Sequence, residues 1–213
     1  MADYNIKNFF MNDKLEIEEK LKQKITPKPK LILHICCAVC GAYLIDLLKN
    51  QFEIVLYFYN PNIWPKEEYD KRLKEAEKLA EIYQINFQEG EYNYDLWLEK
   101  VRGWESEPEG GKRCLICFRE RLEKTAEIAK KEKSLYFTTT LAISPFKDEK
   151  VLDEIATLIA KKNNLIFLPL SEFGDKKELW KKTQELSKKY ELYHQKYCGC
   201  QFSFRPTKKE KDL

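Results

Sequence analysis

The chain has 213 residues, of which 43% are hydrophobic and 34% charged, and its formal net charge is +3. A chain of this length buries enough apolar surface to fold as one domain without disulfides. No stretch reaches the ~18 apolar residues of a membrane span, and the first 30 residues lack the apolar run of a signal peptide, so we expect a cytoplasmic protein with no membrane partner. The mild positive charge permits a nucleic-acid partner without requiring one.

The predicted elements alternate between strand and helix. Residues 1–30 predict an N-terminal extension, with an amphipathic helix from about Asn12 and a Pro/Lys connector. Residues 31–204 predict a single catalytic α/β domain, and residues 205–213 a charged tail. In chain order we predict strands at 31–35, 53–59, 86–92, 135–141 and 165–170, and helices at 43–48, 64–83, 114–130, 148–160 and 177–190, with a loop at 102–113. Because several strands are almost continuously apolar, we expect a mostly parallel sheet covered by helices on both faces, a three-layer Rossmann-like α/β sandwich.

The cysteines are grouped rather than scattered. All seven lie in three short motifs, Cys36, Cys37 and Cys40, then Cys114 and Cys117, then Cys198 and Cys200. Their odd number, in a Lys/Glu-rich chain expected to be kept reduced, disfavours a disulfide framework. We therefore predict a metal centre assembled from three distant segments.

The predicted fold places these motifs where ligands bind in open α/β sheets, beyond the carboxyl ends of strands. Cys36 directly follows the first predicted strand, at the position where a nucleotide-binding protein carries its phosphate-binding loop. Neither a GxGxxG nor a GxxxxGK[ST] motif is present, which argues against a dinucleotide-binding protein and against a P-loop nucleotide-binding protein. Cys114 lies at the start of a predicted helix, next to Lys112 and Arg113. The partial positive charge of the helix N-terminus and these two basic side chains favour the thiolate form. Gly199 relaxes the backbone so that the last two thiols can converge.

The number of thiols indicates the kind of centre. A zinc ion takes four ligands, so seven cysteines exceed one zinc site, and the adjacent Cys36 and Cys37 are not expected to bind one ion together. A [4Fe–4S] cluster takes four thiolates and leaves three for a second metal ion. The C-x₃-C-x₂-C motif of radical S-adenosylmethionine enzymes is absent, because no third cysteine follows Cys40. The count favours a cluster with one accessory metal. A zinc-thiolate protein that binds nucleic acid stays as an alternative.

Three segments carry a family resemblance. HICCAVCG, GKRCLICFRERL and LYHQKYCGC resemble the signature of the QueH-type epoxyqueuosine reductases, and YNPNIWPKEEYDKRLKEAEKLA and TTTLAISPFKD are also similar to that family. The resemblance covers most of residues 31–203 and implies a nucleotide alpha-hydrolase-like fold. It implies an oxidoreductase that converts epoxyqueuosine to queuosine at the wobble position of tRNA, with a [4Fe–4S] cluster beside a mononuclear iron. Val39 and His194 depart from the proline and arginine usual in the family, whereas position 40 varies between cysteine and aspartate.

This resemblance implies partners and roles. The partners are a tRNA carrying epoxyqueuosine and an external electron donor. The accessory iron, as a Lewis acid, would polarise the epoxide oxygen, and the cluster would deliver electrons. By hypothesis Cys36, Cys114, Cys117 and Cys198 bind the cluster, whereas Cys37, Cys40 and Cys200 bind the accessory iron; within the pairs Cys36/Cys37 and Cys198/Cys200 the assignment is interchangeable. A tRNA-thiolation-type enzyme is a further alternative, although it requires an ATP phosphate loop.

Other side chains are weaker candidates. His34 and Tyr69 are proposed proton donors, although a histidine among apolar neighbours also fits a hydrogen-bonded core residue. Trp64 is a candidate for stacking on a base or for packing at a helix start. Arg113, Arg119 and Arg121 either meet phosphate or pair with carboxylates.

Overall fold

The computed structural model describes residues 27–204. The predicted N-terminal helix and the charged tail from Arg205 lie outside these residues, and the proposed domain boundaries stay predictions.

A five-stranded parallel sheet forms the centre of the domain. Its strands are β1 (Lys30–His34), β2 (Glu53–Phe58), β3 (Asn86–Glu89), β4 (Tyr136–Thr139) and β5 (Ile166–Phe167), in the order β3-β2-β1-β4-β5. The apolar side chains of β1 and β2 are buried, because the sheet is covered on both faces. The predicted parallel sheet is confirmed. The strand predicted at 165–170 is shorter, since Pro169 precedes a 3₁₀ turn at Leu170–Phe173.

Within residues 27–204, six α-helices surround the sheet. They are α1 (Ala38–Leu48), α2 (Lys66–Tyr83), α3 (Tyr94–Lys100), α4 (Lys112–Lys131), α5 (Glu149–Asn163) and α6 (Lys176–Lys189). Helix α1 packs against α2 and α6, and α4 packs against α5, so helices cover the two faces in the predicted three layers. Helix α3 was not predicted. Its N-cap is Asn93, whose side chain accepts a hydrogen bond from the Leu96 N–H. In the part of the chain that the structure describes, no helix is long and apolar enough to cross a membrane.

The strand order reverses between β1 and β4, and this reversal positions the site. The chain leaves β1 towards β2 on one side, whereas β4 and β5 lie on the other. Beyond the strand ends the Thr140 N–H donates to the His34 carbonyl oxygen over 3.0 Å. A crevice therefore opens at the carboxyl ends of β1 and β4, the usual ligand position in open α/β sheets.

Candidate metal centre

Three thiols converge at this crevice. The Sγ atoms of Cys36, Cys37 and Cys40 all lie within 4.8 Å of one another, and those of Cys36 and Cys37 are 3.9 Å apart. The convergence has a local cause: Cys37 caps α1 in extended conformation, and one helical turn brings Cys40 back beside it. The adjacent cysteines therefore do reach one point, contrary to the expectation from sequence. A tetrahedral zinc site with Zn–S bonds near 2.3 Å separates its sulfurs by about 3.8 Å, so this spacing suits a single metal ion.

The surroundings of this trio favour one thiolate. Hydrogen bonds from the Cys37 and Cys40 thiols, with smaller effects from Lys147 and Thr140, hold the pKa of Cys36 well below its usual value. The same bonds, together with burial, raise the pKa of Cys37 to about 12 and raise that of Cys40. A cation bound here would displace the remaining protons, because metal ligation requires thiolates.

The other four thiols line a second, smaller cavity. Its wall carries Cys114 and Cys117 from the first turns of α4, and Cys198 and Cys200 from the C-terminal segment. Burial raises the pKa of Cys114 and raises that of Cys117 to about 11, so desolvation outweighs the helix N-terminus that was expected to favour thiolate. The Gly110 N–H nevertheless donates to the Cys114 Sγ over 3.2 Å.

Unpaired polar atoms surround this quartet. Three N–H donors on its wall have no hydrogen-bond partner in the described residues: Nε1 of Trp97, Nε of Arg113 and Nη2 of Arg121. Buried donors are normally paired, so each needs an acceptor. The inorganic sulfides and thiolates of an iron–sulfur cluster accept such bonds. Three of the four unpaired polar atoms on this wall are therefore donors that suit a sulfide-containing cluster, whereas the fourth, Oδ1 of Asn62, is an acceptor.

The backbone between the last two cysteines is held by α2. Arg72 is 2% exposed and donates to the carbonyl oxygens of Tyr197, over 3.1 Å, and Cys198, over 3.0 Å. Its Nε also donates to Glu68 over 2.7 Å. Gly199 has φ +127°, with Arg72 and Ile63 close to where a Cβ would lie. The positive φ and these close contacts explain why glycine occupies this position, and the convergence of the two thiols stays a prediction.

A large cavity of about 940 Å³ opens beside both groups of thiols. Cys36 and Cys40 of the trio line it, and so does Cys198 of the quartet. Cys198 and Arg121 also line the smaller cavity, so the two cavities share a wall. A molecule in the large cavity therefore lies against Cys36 and Cys40 of the trio and against Cys198 of the quartet.

The structure groups the thiols differently from the division predicted. Cys36 lies with Cys37 and Cys40 rather than with Cys114, and Cys200 lies with the quartet rather than with Cys40. The C-terminal pair stays together because Arg72 holds their shared segment. Which thiol binds which metal stays a prediction.

The two predicted proton donors line neither cavity. His34 is fully buried; its Nε2 donates to the Tyr59 carbonyl oxygen over 3.1 Å, and its Nδ1 accepts from the Thr139 hydroxyl over 2.9 Å. Burial lowers the pKa of His34 to about 4, which keeps the ring neutral. The Tyr69 hydroxyl is engaged with Glu89 over 2.7 Å. Their catalytic roles stay predictions that these contacts do not favour.

Two of the three arginines beside the second motif are also directed inward, whereas Arg119 is exposed. Arg113 donates to the Glu105 carbonyl oxygen over 2.9 Å, and Arg121 to that of Cys117 over 3.3 Å. Both are buried, so neither is available to a phosphate on the surface.

Three residues near the thiols were not singled out from the sequence. The Gln195 side-chain amide donates to the Cys37 Sγ over 3.1 Å, Lys147 lines the large cavity with Cys36, and Trp97 lies against the quartet. Gln195 lies within a cysteine motif that was recognised, so its position was a usable signal. No local sequence signal indicated that Trp97 lies near the thiols, because it belongs to the helix that was not predicted.

Comparison with known proteins identifies the family. The family model described as epoxyqueuosine reductase QueH matches residues 31–206. The relative from Streptococcus pyogenes is 34% identical, covering 86% of this chain and 74% of its own, and that from Haemophilus influenzae is 35% identical, covering 94% and 79%. The relative from Thermotoga maritima is 35% identical, with 81% and 89% covered. All three are named epoxyqueuosine reductase QueH.

A solved structure supports the fold. The U34-tRNA thiolase NcsA from Methanococcus maripaludis, with its [4Fe–4S] cluster, aligns with a TM-score of 0.52 at 15% identity, covering 95% of this chain and 70% of its own. This similarity confirms the nucleotide alpha-hydrolase-like architecture. On the strength of the family model and the relatives, this chain belongs to the epoxyqueuosine reductase QueH family of oxidoreductases.

Proposed function

We propose that this protein reduces epoxyqueuosine at the wobble position of tRNA to queuosine, using an iron–sulfur cluster and a neighbouring iron ion. The observation that carries the proposal is the shared wall between the quartet cavity and the large cavity onto which the trio opens. An external electron donor and the tRNA are the partners that this reaction requires.

The arrangement of thiols favours a division of four and three. The quartet, Cys114, Cys117, Cys198 and Cys200, would hold the [4Fe–4S] cluster, since its unpaired N–H donors suit sulfide acceptors. The trio would hold the accessory iron, because within residues 27–204 it is the group of thiols that converges at the spacing of a single ion. The thiolase of the same fold carries a [4Fe–4S] cluster, so this architecture accommodates one.

The reaction balances with two electrons and two protons. Both C–O bonds of the epoxide break, a C=C bond forms, and the oxygen leaves as water. When bound, the cluster would supply single electrons at low potential, and the second metal ion a Lewis acid for the oxygen.

The protein's own side chains shape this chemistry. The large cavity holds the modified base beside Cys36 and Cys40. Lys147, on the same wall, provides positive charge that offsets negative charge developing on the departing oxygen. Buried Arg121, between the two cavities, compensates the thiolates of both groups.

Anaerobic incubation tests the activity. Iron-loaded protein, dithionite and tRNA containing epoxyqueuosine should yield queuosine, detected by nucleoside mass spectrometry as loss of one oxygen. Unchanged epoxyqueuosine with a fully loaded enzyme would contradict the proposal. Colourless protein with stoichiometric zinc after anaerobic reconstitution would favour the zinc-thiolate alternative instead.

A further inference from the structure

Phe146 is the most exposed aromatic side chain on the lining of the large cavity. Phe146 is 81% exposed, more than any other large hydrophobic residue in the described part of the chain. Eight such side chains are exposed there, and two of them, Phe146 and Trp64, line the large cavity. Trp64 packs edge-on against Phe204, whereas no aromatic ring within residues 27–204 packs on Phe146. A single exposed apolar side chain is common on protein surfaces. Phe146 differs from the exposed side chains other than Trp64 in that it lines the cavity that Cys36 and Cys40 also line.

The turn that presents this ring is held in place. The Phe146 N–H donates to the Ser144 hydroxyl and the Lys147 N–H to the Ser144 carbonyl oxygen, each over 3.3 Å. The Lys176 ammonium of α6 also donates to the Lys147 carbonyl oxygen over 2.8 Å. The ring is therefore presented by a fixed turn rather than by a loose loop, so less ordering entropy is lost when a partner stacks on it.

The charge of the cavity indicates the partner. Its lining contains five basic side chains, Lys71, Arg72, Arg121, Lys147 and Lys196, and three acidic ones, Glu67, Glu68 and Glu109. Lys147, next to Phe146 in sequence, lines the same cavity as the trio thiols. A partner with negative charge and flat apolar faces suits this combination, and single-stranded RNA has both.

We propose that Phe146 is a stacking platform for a nucleobase of the anticodon loop next to the wobble nucleotide. Proteins recognise RNA loops by splaying bases out and stacking them on aromatic side chains. With the neighbouring base held on Phe146, the wobble base enters the cavity towards Cys36 and Cys40. This inference rests on the proposed function for the identity of the RNA.

Binding of a labelled anticodon stem–loop RNA containing epoxyqueuosine, measured by fluorescence anisotropy, tests the role of Phe146. Stacking is worth about 1–3 kcal/mol per base, so Phe146→Ala should weaken binding by about 5- to 140-fold. Phe146→Trp should bind like the wild type, whereas Phe146→Leu, which keeps an apolar side chain but no ring, should lose most of the affinity. Leu158→Ala is the matched control, because Leu158 is 67% exposed and does not line the cavity.

Two outcomes would overturn the inference: wild-type affinity in Phe146→Ala, or equal affinity in Phe146→Leu and Phe146→Trp. Unchanged visible absorbance of the metal centre in each variant shows that the fold and cofactors are retained. If the wild type binds the stem–loop without reducing it, the proposed function fails while the binding series still measures the role of Phe146.

Discussion

Arg72 donates a hydrogen bond to the carbonyl oxygen of Cys198 over 3.0 Å, although 126 positions separate the two residues. The same guanidinium binds the carbonyl oxygen of Tyr197 and the carboxylate of Glu68. One buried side chain of α2 therefore sets where the C-terminal pair of thiols meets the pair on α4.

We expect Arg72→Met to release the cluster and destabilise the fold. Removing one partner of a fully buried ion pair costs about 3–5 kcal/mol. We expect a smaller loss here, because the Glu68 side chain is 11% exposed and keeps its hydrogen bond from the Tyr193 hydroxyl. Iron and sulfide content per protein, with the midpoint of urea unfolding, measures both effects. Lys66→Ala is the control, since its pair with Asp70 is exposed and is worth about 0–1 kcal/mol. Full iron and sulfide content in Arg72→Met would show that the guanidinium does not position the thiols.

Cys40→Ala and Cys117→Ala should remove different metals. Cys40 belongs to the trio, so its loss should remove one iron and leave the cluster spectrum intact. Cys117 lies on the quartet wall, so its loss should abolish the cluster. Elemental analysis and Mössbauer spectra of anaerobically prepared protein distinguish the two. Loss of the cluster spectrum in Cys40→Ala would contradict the division of four and three.

Trp97→Phe should make the cluster harder to reduce. The indole N–H of Trp97 is buried against the quartet without a partner in the described residues, and hydrogen bonds to cluster sulfurs stabilise the more negative, reduced state. Replacing the indole with a ring that has no donor should shift the midpoint potential to a more negative value in a redox titration followed by electron paramagnetic resonance. Trp104→Phe, which does not line that cavity, is the control. Equal potentials for wild type and Trp97→Phe would mean that the indole donates elsewhere.

Asp153→Asn should stabilise the protein at neutral pH but not in acid. Burial, together with the nearby Glu149, raises the pKa of Asp153 to about 6, from an ordinary value of 3.8. Between pH 3.8 and about pH 6 the folded state therefore binds more protons than the unfolded state. The free energy of unfolding consequently falls as pH rises through this range. We expect a gain of about 1 kcal/mol in the free energy of unfolding at pH 7, allowing for solvent screening, and no gain near pH 4. A gain that is the same at both pH values would point to a cause other than ionisation.

Some features of the fold follow from local pattern. The runs at β1 and β2 are apolar because both faces of each strand are buried, and periodic apolar positions mark α2 and α4. Helix α3 was not predicted, because its seven residues form only two turns. Two turns are too few for the periodic spacing of apolar residues to be recognised. For the site, the clustering of cysteines predicts that three distant segments meet, and the structure brings their thiols to two adjoining cavities.

The local sequence pattern does not predict which thiols lie close together. The trio forms because an extended N-cap is followed by a helical turn, and a list of spacings does not show that conformation. The quartet forms because the segment after α6 packs against α2, where Arg72 donates hydrogen bonds to two of its backbone carbonyl oxygens. Every residue type has a backbone carbonyl group, so the sequence does not show this contact. Cysteine content is a property of the one-dimensional chain, whereas distances between sulfurs depend on strand order and long-range hydrogen bonds. Residue types therefore reveal the chemistry of this protein, and the three-dimensional path of its backbone decides how that chemistry is divided between two neighbouring cavities.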